Sequence, residues 1–181
     1  MTLHAQPFTL ADPVHPGDHF QGPVAARVTV VEYGDFECPS CGLAYPAVNM
    51  LLKHFENRVR FVFRHFPLRE VHPHAELAAE AAEAAGAQQK FWPLHNLLFG
   101  HQRQLKADNL REYAVKAELD LERYDAEMRD HFYRQRIQEH IDSGNRSGVR
   151  ATPTFFVNGA VQDTSFGIQA LQAAIDTALR A

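Results

Sequence analysis

Cysteine is scarce in this sequence, since its 181 residues include only Cys38 and Cys41. Two cysteines separated by two residues cannot build the multi-bridge framework that staples small secreted domains. The pair must therefore act locally. A redox pair, half of a zinc site and an inert structural pair are all consistent with this spacing.

Long apolar runs are also missing. No window approaches the roughly 20 apolar residues that a membrane-spanning helix needs, so we expect no membrane insertion. The first residues lack the basic and apolar regions of a secretion signal. The sequence as written thus predicts a cytoplasmic protein, or a periplasmic or otherwise extracytoplasmic one if a signal has been removed. Residues 1–17 are polar, contain proline and show no periodicity, which predicts a flexible arm before a domain over 18–181.

The sequence has no concentrated positive charge. Its net charge is −4 with histidine neutral, and its 18 lysines and arginines are scattered along the chain. Proteins that follow nucleic-acid phosphates need a basic patch or stripe. Nucleic acid is therefore excluded as an expected partner.

Strand and helix patterns alternate in the first part of the chain. Residues 28–31 (VTVV) and 60–64 (RFVFR) are rich in apolar β-formers and predict two strands. Between them, apolar residues at helical spacing predict a helix that contains Pro46. A strand, helix, strand order predicts a parallel pair of strands.

The middle of the chain has almost no strand signal. Residues 72–141 favour helix throughout. Breaks between its helices are expected at Gly86, Pro93, Gly100 and near Asp120. After this block, residues 154–157, an Asn158-Gly159 turn and residues 160–162 predict a hairpin, and a final helix follows.

The order of these elements predicts the fold class. Strand-helix-strand, a helical block and then strand-strand-helix is the plan of an α/β thioredoxin fold, a mixed sheet flanked by helices. The helical block is then an inserted subdomain at about 68–145.

Cys38-Pro39-Ser40-Cys41 follows a predicted strand and opens a predicted helix. Unpaired backbone N–H groups and the helix dipole stabilise a thiolate at that position. Cys38 is thus the expected nucleophile. Cys41, one turn further into the helix, is the expected resolving thiol.

The zinc interpretation would recruit His72 and His74 as the remaining ligands. No second clustered pair of cysteine or histidine occurs at the usual spacing, so we expect no metal. We also expect no organic cofactor.

Three separated segments resemble the DsbA-like branch of the thioredoxin superfamily. They are VTVVEYGDFECPSCG (28–42), HPHAELAAEAAEAAGAQQKFWPLHNLLF (72–99) and GVRATPTFFVNG (148–159), in the family's order, and the resemblance covers about 18–181. It implies a thioredoxin fold with a helical insertion, a catalytic Cys38 and Cys41, and a cis peptide bond between Thr152 and Pro153 that faces the sulfurs.

The resemblance also implies roles for other residues. Thr152 and Pro153 would bind the segment around a substrate cysteine by strand addition. Glu32, six residues before Cys38, matches a buried acidic residue beneath the active site and would carry a proton for Cys41. If Glu32 instead faces outward, it is an ordinary strand glutamate.

The two residues between the cysteines, Pro39 and Ser40, are expected to tune the site. The strongly oxidising enzyme after which the branch is named carries histidine where this chain has Ser40, and serine supplies no positive charge. Asp35 and Glu37 add negative charge beside the thiolate. We therefore expect a milder oxidant.

The expected function is a thiol:disulfide oxidoreductase that exchanges disulfides with protein thiols, in the oxidising or isomerising direction, and is recycled by an unidentified redox partner. A non-catalytic peptide-binding or chaperone module on the same fold is the alternative. An enzyme resembling the glutathione-linked transferases and isomerases is a third interpretation, which the complete cysteine pair disfavours.

Overall fold

A five-stranded mixed sheet forms the centre of the protein in the computed structural model, which describes residues 8–165 and 167–181. The strands are β1 (His19–Gln21), β2 (Val28–Gly34), β3 (Val59–His65), β4 (Thr154–Val157) and β5 (Ala160–Gln162), in the spatial order β1-β3-β2-β4-β5. The helices are α1 (Pro39–His54), α2 (Ala75–Gly86), α3 (Phe91–Gly100), α4 (Ala107–Lys116), α5 (Leu121–Arg129), α6 (Arg134–Arg146) and α7 (Gln169–Arg180).

The central strand β2 carries the chain into the cysteine site. It pairs in parallel with β3 and antiparallel with β4, so both of its edges are hydrogen-bonded. Its run of valines suits a strand that is buried on both faces. The predicted thioredoxin fold and the predicted parallel pair are thereby confirmed, and the hairpin of β4 and β5 has the predicted bounds.

Strand β1 was not predicted. It has three residues, which is too short for an alternating pattern to be visible in the sequence. It forms because β3 offers an edge, to which β1 pairs antiparallel. The indole of Trp92 on α3 also donates a hydrogen bond to the Phe20 carbonyl at 3.0 Å.

Residues 8–17, assigned from the sequence to a flexible arm, lie against the domain. The buried guanidinium of Arg64 on β3 donates hydrogen bonds to the carbonyls of Asp12 and Pro13, at 2.9 and 3.1 Å. A buried cation needs such acceptors, and this need fixes the segment in place. Residues 1–7 of the predicted arm lie outside the described residues.

Five helices, α2 to α6, lie between β3 and β4. Gly86 and Gly100 are the last residues of α2 and α3, and Asp120 caps α5 by accepting the Arg123 N–H at 3.1 Å. The prediction of a break at Pro93 is wrong. Pro93 is the third residue of α3, where its missing N–H costs nothing because first-turn N–H groups have no partner within the helix.

Residues 122–141 are helical in pattern but divide into two helices. Between α5 and α6, His131 adopts a left-handed conformation with φ 49°. Its imidazole contacts the Glu80 carboxylate on α2 at 3.0 Å. Across residues 8–165 and 167–181, no helix combines the length and the apolar character needed to span a lipid bilayer.

Candidate active site

Both cysteines lie where β2 meets α1. Cys38 is the N-cap of α1 with φ −70° and ψ 122°, and Pro39 occupies the first helical position. The Gly42 N–H bonds back to the Cys38 carbonyl at 3.1 Å and closes the first turn. Both sulfurs are present as free thiols, with Cys38 6% exposed and Cys41 fully buried. The outer sulfur is thus the one that a partner can reach.

The surroundings of Cys38 favour its thiolate. A hydrogen bond from the Cys41 thiol lowers the pKa of Cys38 to about 5, although burial opposes the shift. The Thr152 hydroxyl and the backbone N–H groups of Ser40 and Cys41 lower the pKa further. At neutral pH, Cys38 is therefore the ionised and nucleophilic sulfur.

The surroundings of Cys41 have the opposite effect. Burial raises the pKa of Cys41 well above that of an ordinary thiol, and its hydrogen bond to Cys38 and the charge of Glu32 raise it further. Cys41 consequently keeps its proton at neutral pH.

A pH titration should separate the two sulfurs. Thiolate absorbance at 240 nm is expected to rise with an apparent pKa of about 5 in the reduced protein. Cys38→Ser should lose that transition, and Cys41→Ala should move it upward because the alanine side chain has no donor for the Cys38 sulfur. A free thiol has a pKa of about 8.5. A single transition near that value would contradict the assignment of Cys38 as a stabilised thiolate.

Glu32 lies beneath the cysteines on β2, opposite Phe63 of β3 and Phe155 of β4. Its side chain is buried, with 5% exposure. Burial raises the pKa of Glu32 to about 8, and the negative charge of Cys38 adds to the shift. The outward-facing interpretation of this residue is therefore wrong.

The loop before β4 faces the outer sulfur. The peptide bond between Thr152 and Pro153 is cis. Cys38 Sγ lies 3.4 Å from the Thr152 carbonyl oxygen, to which Cys38 donates a hydrogen bond when it is protonated. Tertiary structure thus brings two segments into contact that are more than 100 residues apart in the chain.

A groove of about 610 Å³ opens beside this contact. The first half of α1 forms one wall, including Ser40 and Leu43, and the loop with Thr152 and Pro153 forms another. Residues of β5 and the chain leading to α7 complete it, among them Val161. A polypeptide lying in this groove would pass next to the sulfurs.

Sequence reasoning missed Gln102, which lies between α3 and α4. Its side-chain amide donates to the carbonyls of both Phe36 and Cys38, each at 2.9 Å. A Cβ atom at Gly42 would collide with this side chain, because it would lie 1.8 Å from the Gln102 Oε1. No local pattern marks Gln102, since its partners are more than 60 residues away.

His72 and His74 contact carboxylates. His72 Nδ1 lies 2.7 Å from Asp35 Oδ2, and His74 Nδ1 lies 2.8 Å from Glu37 Oε1. The zinc interpretation, which joined these imidazoles to the cysteines, gains no support from this arrangement. The same contacts also offset the two carboxylates that were expected to oppose the thiolate.

A separate buried cluster offers donor atoms to a metal. Those of His65, Glu83 and His140 lie within 4.8 Å of one another. The Glu83 oxygens already contact His65 Nε2 at 2.9 Å, His19 Nε2 at 3.0 Å and Arg136 Nε at 2.6 Å. Burial raises the pKa of Glu83, but hydrogen bonds from His19 and His65 outweigh it and hold that pKa well below its usual range. The cluster therefore acts as a network of hydrogen bonds around the ion pair of Glu83 and Arg136, and it ties α2 and α6 to the sheet.

Curated relatives share most of this chain. It is 52% identical over 167 residues to a protein of Salinispora arenicola named Na(+)/H(+) antiporter NhaA 1, a match that covers 92% of this chain and 26% of that protein. A Salinispora tropica protein named Na(+)/H(+) antiporter NhaA 3 is 49% identical with the same coverage. The chain thus spans about a quarter of the length of these relatives.

Solved structures and a family model identify the fold family. BdbD from Bacillus subtilis in its oxidised form matches with a TM-score of 0.87 and 24% identity, over 97% of this chain and 100% of its own. A thioredoxin-like oxidoreductase from Silicibacter pomeroyi matches with a TM-score of 0.78 and 29% identity, over 92% and 95%. The family model described as thioredoxin matches residues 15–177. Together with the cysteine site at the start of α1, these matches show that the chain belongs to the thioredoxin superfamily, as a DsbA-like member.

Proposed function

We propose that this protein oxidises protein thiols by passing on a disulfide between Cys38 and Cys41. The observation that carries the proposal is the stabilised thiolate of Cys38, whose pKa is lowered to about 5, next to a buried thiol. A stabilised thiolate favours the dithiol over the disulfide form, so the disulfide is readily transferred to a substrate. The site then acts as an oxidant.

The exchange begins with the disulfide form. A substrate thiolate attacks Cys38 Sγ, the Cys38–Cys41 bond breaks, and its electron pair stays on Cys41. A second substrate thiolate then attacks the substrate sulfur of the mixed disulfide and releases Cys38 as a thiolate. The substrate loses two electrons and gains a disulfide, and the protein becomes the dithiol.

Glu32 manages the proton of Cys41 in this scheme. With a pKa of about 8, Glu32 is protonated at neutral pH and gives its proton to the Cys41 sulfur as that sulfur leaves the disulfide. In the reverse direction, Glu32 takes the proton back when Cys41 attacks the mixed disulfide. A carboxyl group with an ordinary pKa would already be ionised at that pH.

Substrate binding is assigned to the loop of Thr152 and Pro153 and to the adjoining groove. An extended peptide can pair with backbone groups of this loop while its side chains enter the groove. The volume of about 610 Å³ accommodates several side chains beside a substrate cysteine. Protein thiols are therefore the proposed substrates. Pro39 and Ser40 lie between the two cysteines, where they tune the reactivity of the pair.

Leu43 provides a test of the groove because it lines it and is 80% exposed. Leu43→Glu should raise KM for a peptide dithiol about tenfold, since covering a leucine is worth about 1.5–3 kcal/mol. Exchange with glutathione should be unchanged because glutathione does not fill the groove. Steady-state oxidation of both substrates measures the difference.

Met50→Glu is the matched control. Met50 is also on α1 and 74% exposed, but it does not line the groove. Met50→Glu should therefore leave the oxidation of both the peptide dithiol and glutathione unchanged. Equal effects of the two substitutions, or an equal loss with peptide and glutathione, would contradict binding in this groove.

The proposed direction favours one of the two expected locations. In a reducing cytosol the pair would be held as the dithiol, whereas an oxidising space keeps it as the disulfide that can be passed on. An extracytoplasmic location therefore suits an oxidant. With Ser40 between the cysteines, we propose a milder oxidant than the enzyme after which the branch is named, because a Cys38 pKa of about 5 lies above the value of about 3.5 known for that enzyme.

The equilibrium with glutathione tests the function directly. The oxidised protein should convert a reduced two-cysteine peptide to its disulfide stoichiometrically. Its reduction potential, calculated from the equilibrium constant with glutathione, should lie between that of thioredoxin at about −270 mV and that of DsbA at about −120 mV. A reduction potential more negative than that of thioredoxin, together with no oxidation of the peptide, would refute an oxidising role.

The alternative is a module that holds extended peptides in the same groove without redox chemistry. Such a module would work equally well without its sulfurs, and the shifted thiol and carboxyl pKa values would serve no purpose in it. The glutathione-linked transferases remain less favoured because both sulfurs of a complete pair lie at the site. Ion transport is not part of the proposal, since this chain matches only 26% of the relatives whose name states it.

A further inference from the structure

Asp35 connects the loop that carries Cys38 to the chain between β3 and α2. Its Oδ2 contacts His72 Nδ1 at 2.7 Å and accepts the Leu68 N–H at 2.9 Å. Its Oδ1 accepts the Glu37 N–H at 2.8 Å. Its backbone carbonyl accepts the Cys38 N–H at 3.2 Å. The side chain of Asp35 is fully buried, so these donors replace the water that its carboxyl oxygens have lost.

A second pair lies beside the first. Glu37, which directly precedes Cys38, contacts His74 Nδ1 at 2.8 Å and accepts the His74 N–H at 2.6 Å. Pro73 separates the two histidines and disfavours a helical conformation at His72. His74 is the N-cap of α2. Both imidazoles therefore reach the same loop from a fixed position.

We call these four side chains the histidine clamp; its members are Asp35 with His72 and Glu37 with His74. We propose that the histidine clamp positions the loop carrying Cys38 and makes the cysteine pair a stronger oxidant. The proposal rests on the oxidoreductase function given above. His72 and His74 act through the carboxylates and are positioning residues.

The physical reason is electrostatic as well as geometric. A carboxylate next to a thiolate disfavours the thiolate, and a donor placed on that carboxylate offsets its field. The clamp supplies one imidazole donor to each carboxylate of the loop. Without the donors, the dithiol form would be less stable and the disulfide would be a weaker oxidant. The clamp also holds the Asp35 carbonyl that accepts the Cys38 N–H at 3.2 Å.

The pair of Glu37 and His74 provides the sharpest test because it is partly exposed and tolerates substitution. His74→Leu should lower the oxidising equilibrium constant against glutathione at pH 7 by about tenfold, which corresponds to about 30 mV. Glu37→Gln should shift the constant in the opposite direction. The double variant should return to within about twofold of the parent, since no charge then needs offsetting.

His72 is tested by loss and rescue. His72→Leu removes the donor to the buried Asp35 and should lower the same constant and raise the apparent pKa of Cys38. His72→Asn places an amide N–H near the position of Nδ1 and should restore both quantities. If His72→Leu does not fold, the cycle of Glu37 and His74 decides alone.

His131→Leu is the matched control, since it breaks a comparable pair with Glu80 at 3.0 Å within the insertion. It should lower the melting temperature without changing the equilibrium constant. If the histidine clamp were purely structural, the leucine variants of His72 and His74 would likewise lower the melting temperature without changing the equilibrium constant. The proposal is overturned if the leucine variants of His72 and His74 keep the parental constant, or if His74→Leu and Glu37→Gln change it in the same direction.

Failure of the proposed function would look different. It would be visible in the parental protein, whose Cys38–Cys41 disulfide form would fail to oxidise a peptide dithiol at any glutathione ratio. The titration of Cys38 at 240 nm requires no substrate, so it still tests the clamp in that case. An unchanged Cys38 transition in both leucine variants would then refute the clamp.

Discussion

Cys38→Ser is expected to reduce catalysed insulin reduction in dithiothreitol to the uncatalysed rate. The serine hydroxyl is not ionised at neutral pH and cannot form the mixed disulfide through which exchange proceeds. The neighbouring Cys41 cannot substitute for it, because Cys41 is fully buried and its pKa is raised well above the usual thiol value. Turbidity of the released insulin B chain measures the rate.

Cys41→Ser serves as the contrasting variant. It keeps the reactive outer sulfur and should accumulate a mixed disulfide with a substrate thiol, visible as a larger species on a non-reducing gel. Cys38→Ser should form none. A peptide-binding module predicts equal insulin results for the parent and both variants, and that result would exclude the oxidoreductase proposal.

Glu32→Gln should stabilise the reduced protein at pH 8 by up to about 5 kcal/mol relative to the parent. The pKa of Glu32 is raised from 4.5 to about 8 in the folded state. Between those two values the folded protein holds a proton that the unfolded chain has lost, so the free energy of unfolding falls as the pH rises. Glutamine has no proton to lose and escapes this fall. Urea unfolding at pH 4.5 and pH 8 measures the difference, which should vanish at the lower pH.

The same substitution should slow turnover. Without the carboxyl group, Cys41 lacks its proton carrier, and general acid-base catalysis is worth about a hundredfold or more. The matched control is Glu83→Gln, another buried glutamate but with its pKa held well below the usual range. Because the stability given by Glu83 is present above its unfolded pKa, the control should destabilise the protein at pH 8. Loss of stability at pH 8 in Glu32→Gln would contradict the raised pKa.

Local sequence determined the elements on which the site is built. The valine run before Cys38 and the proline after it predict a strand that opens into a helix, and β2 and α1 meet at that point. The Asn158-Gly159 turn fixed the hairpin of β4 and β5 with its observed bounds. These predictions succeed because backbone preferences and side-chain periodicity act over a few residues.

Long-range partners could not be predicted in the same way. Gln102 donates to the Cys38 carbonyl across 64 residues, and the contact between Asp35 and His72 spans 37 residues. Strand β1 exists because β3 has an edge to pair with. In each case the sequence shows polar side chains without showing what they meet, since a hydrogen bond has no signature in either partner's local pattern.

The sequence by itself determined that two sulfurs stand at the start of a helix after a buried strand, and the resemblance of three segments named the family. Tertiary structure decided the chemical setting of those sulfurs. The lowered pKa of Cys38, the raised pKa of Glu32 and the offset charges of Asp35 and Glu37 all depend on burial and on donors from distant segments. Burial and electrostatic interactions depend on distance in space, and the fold sets that distance.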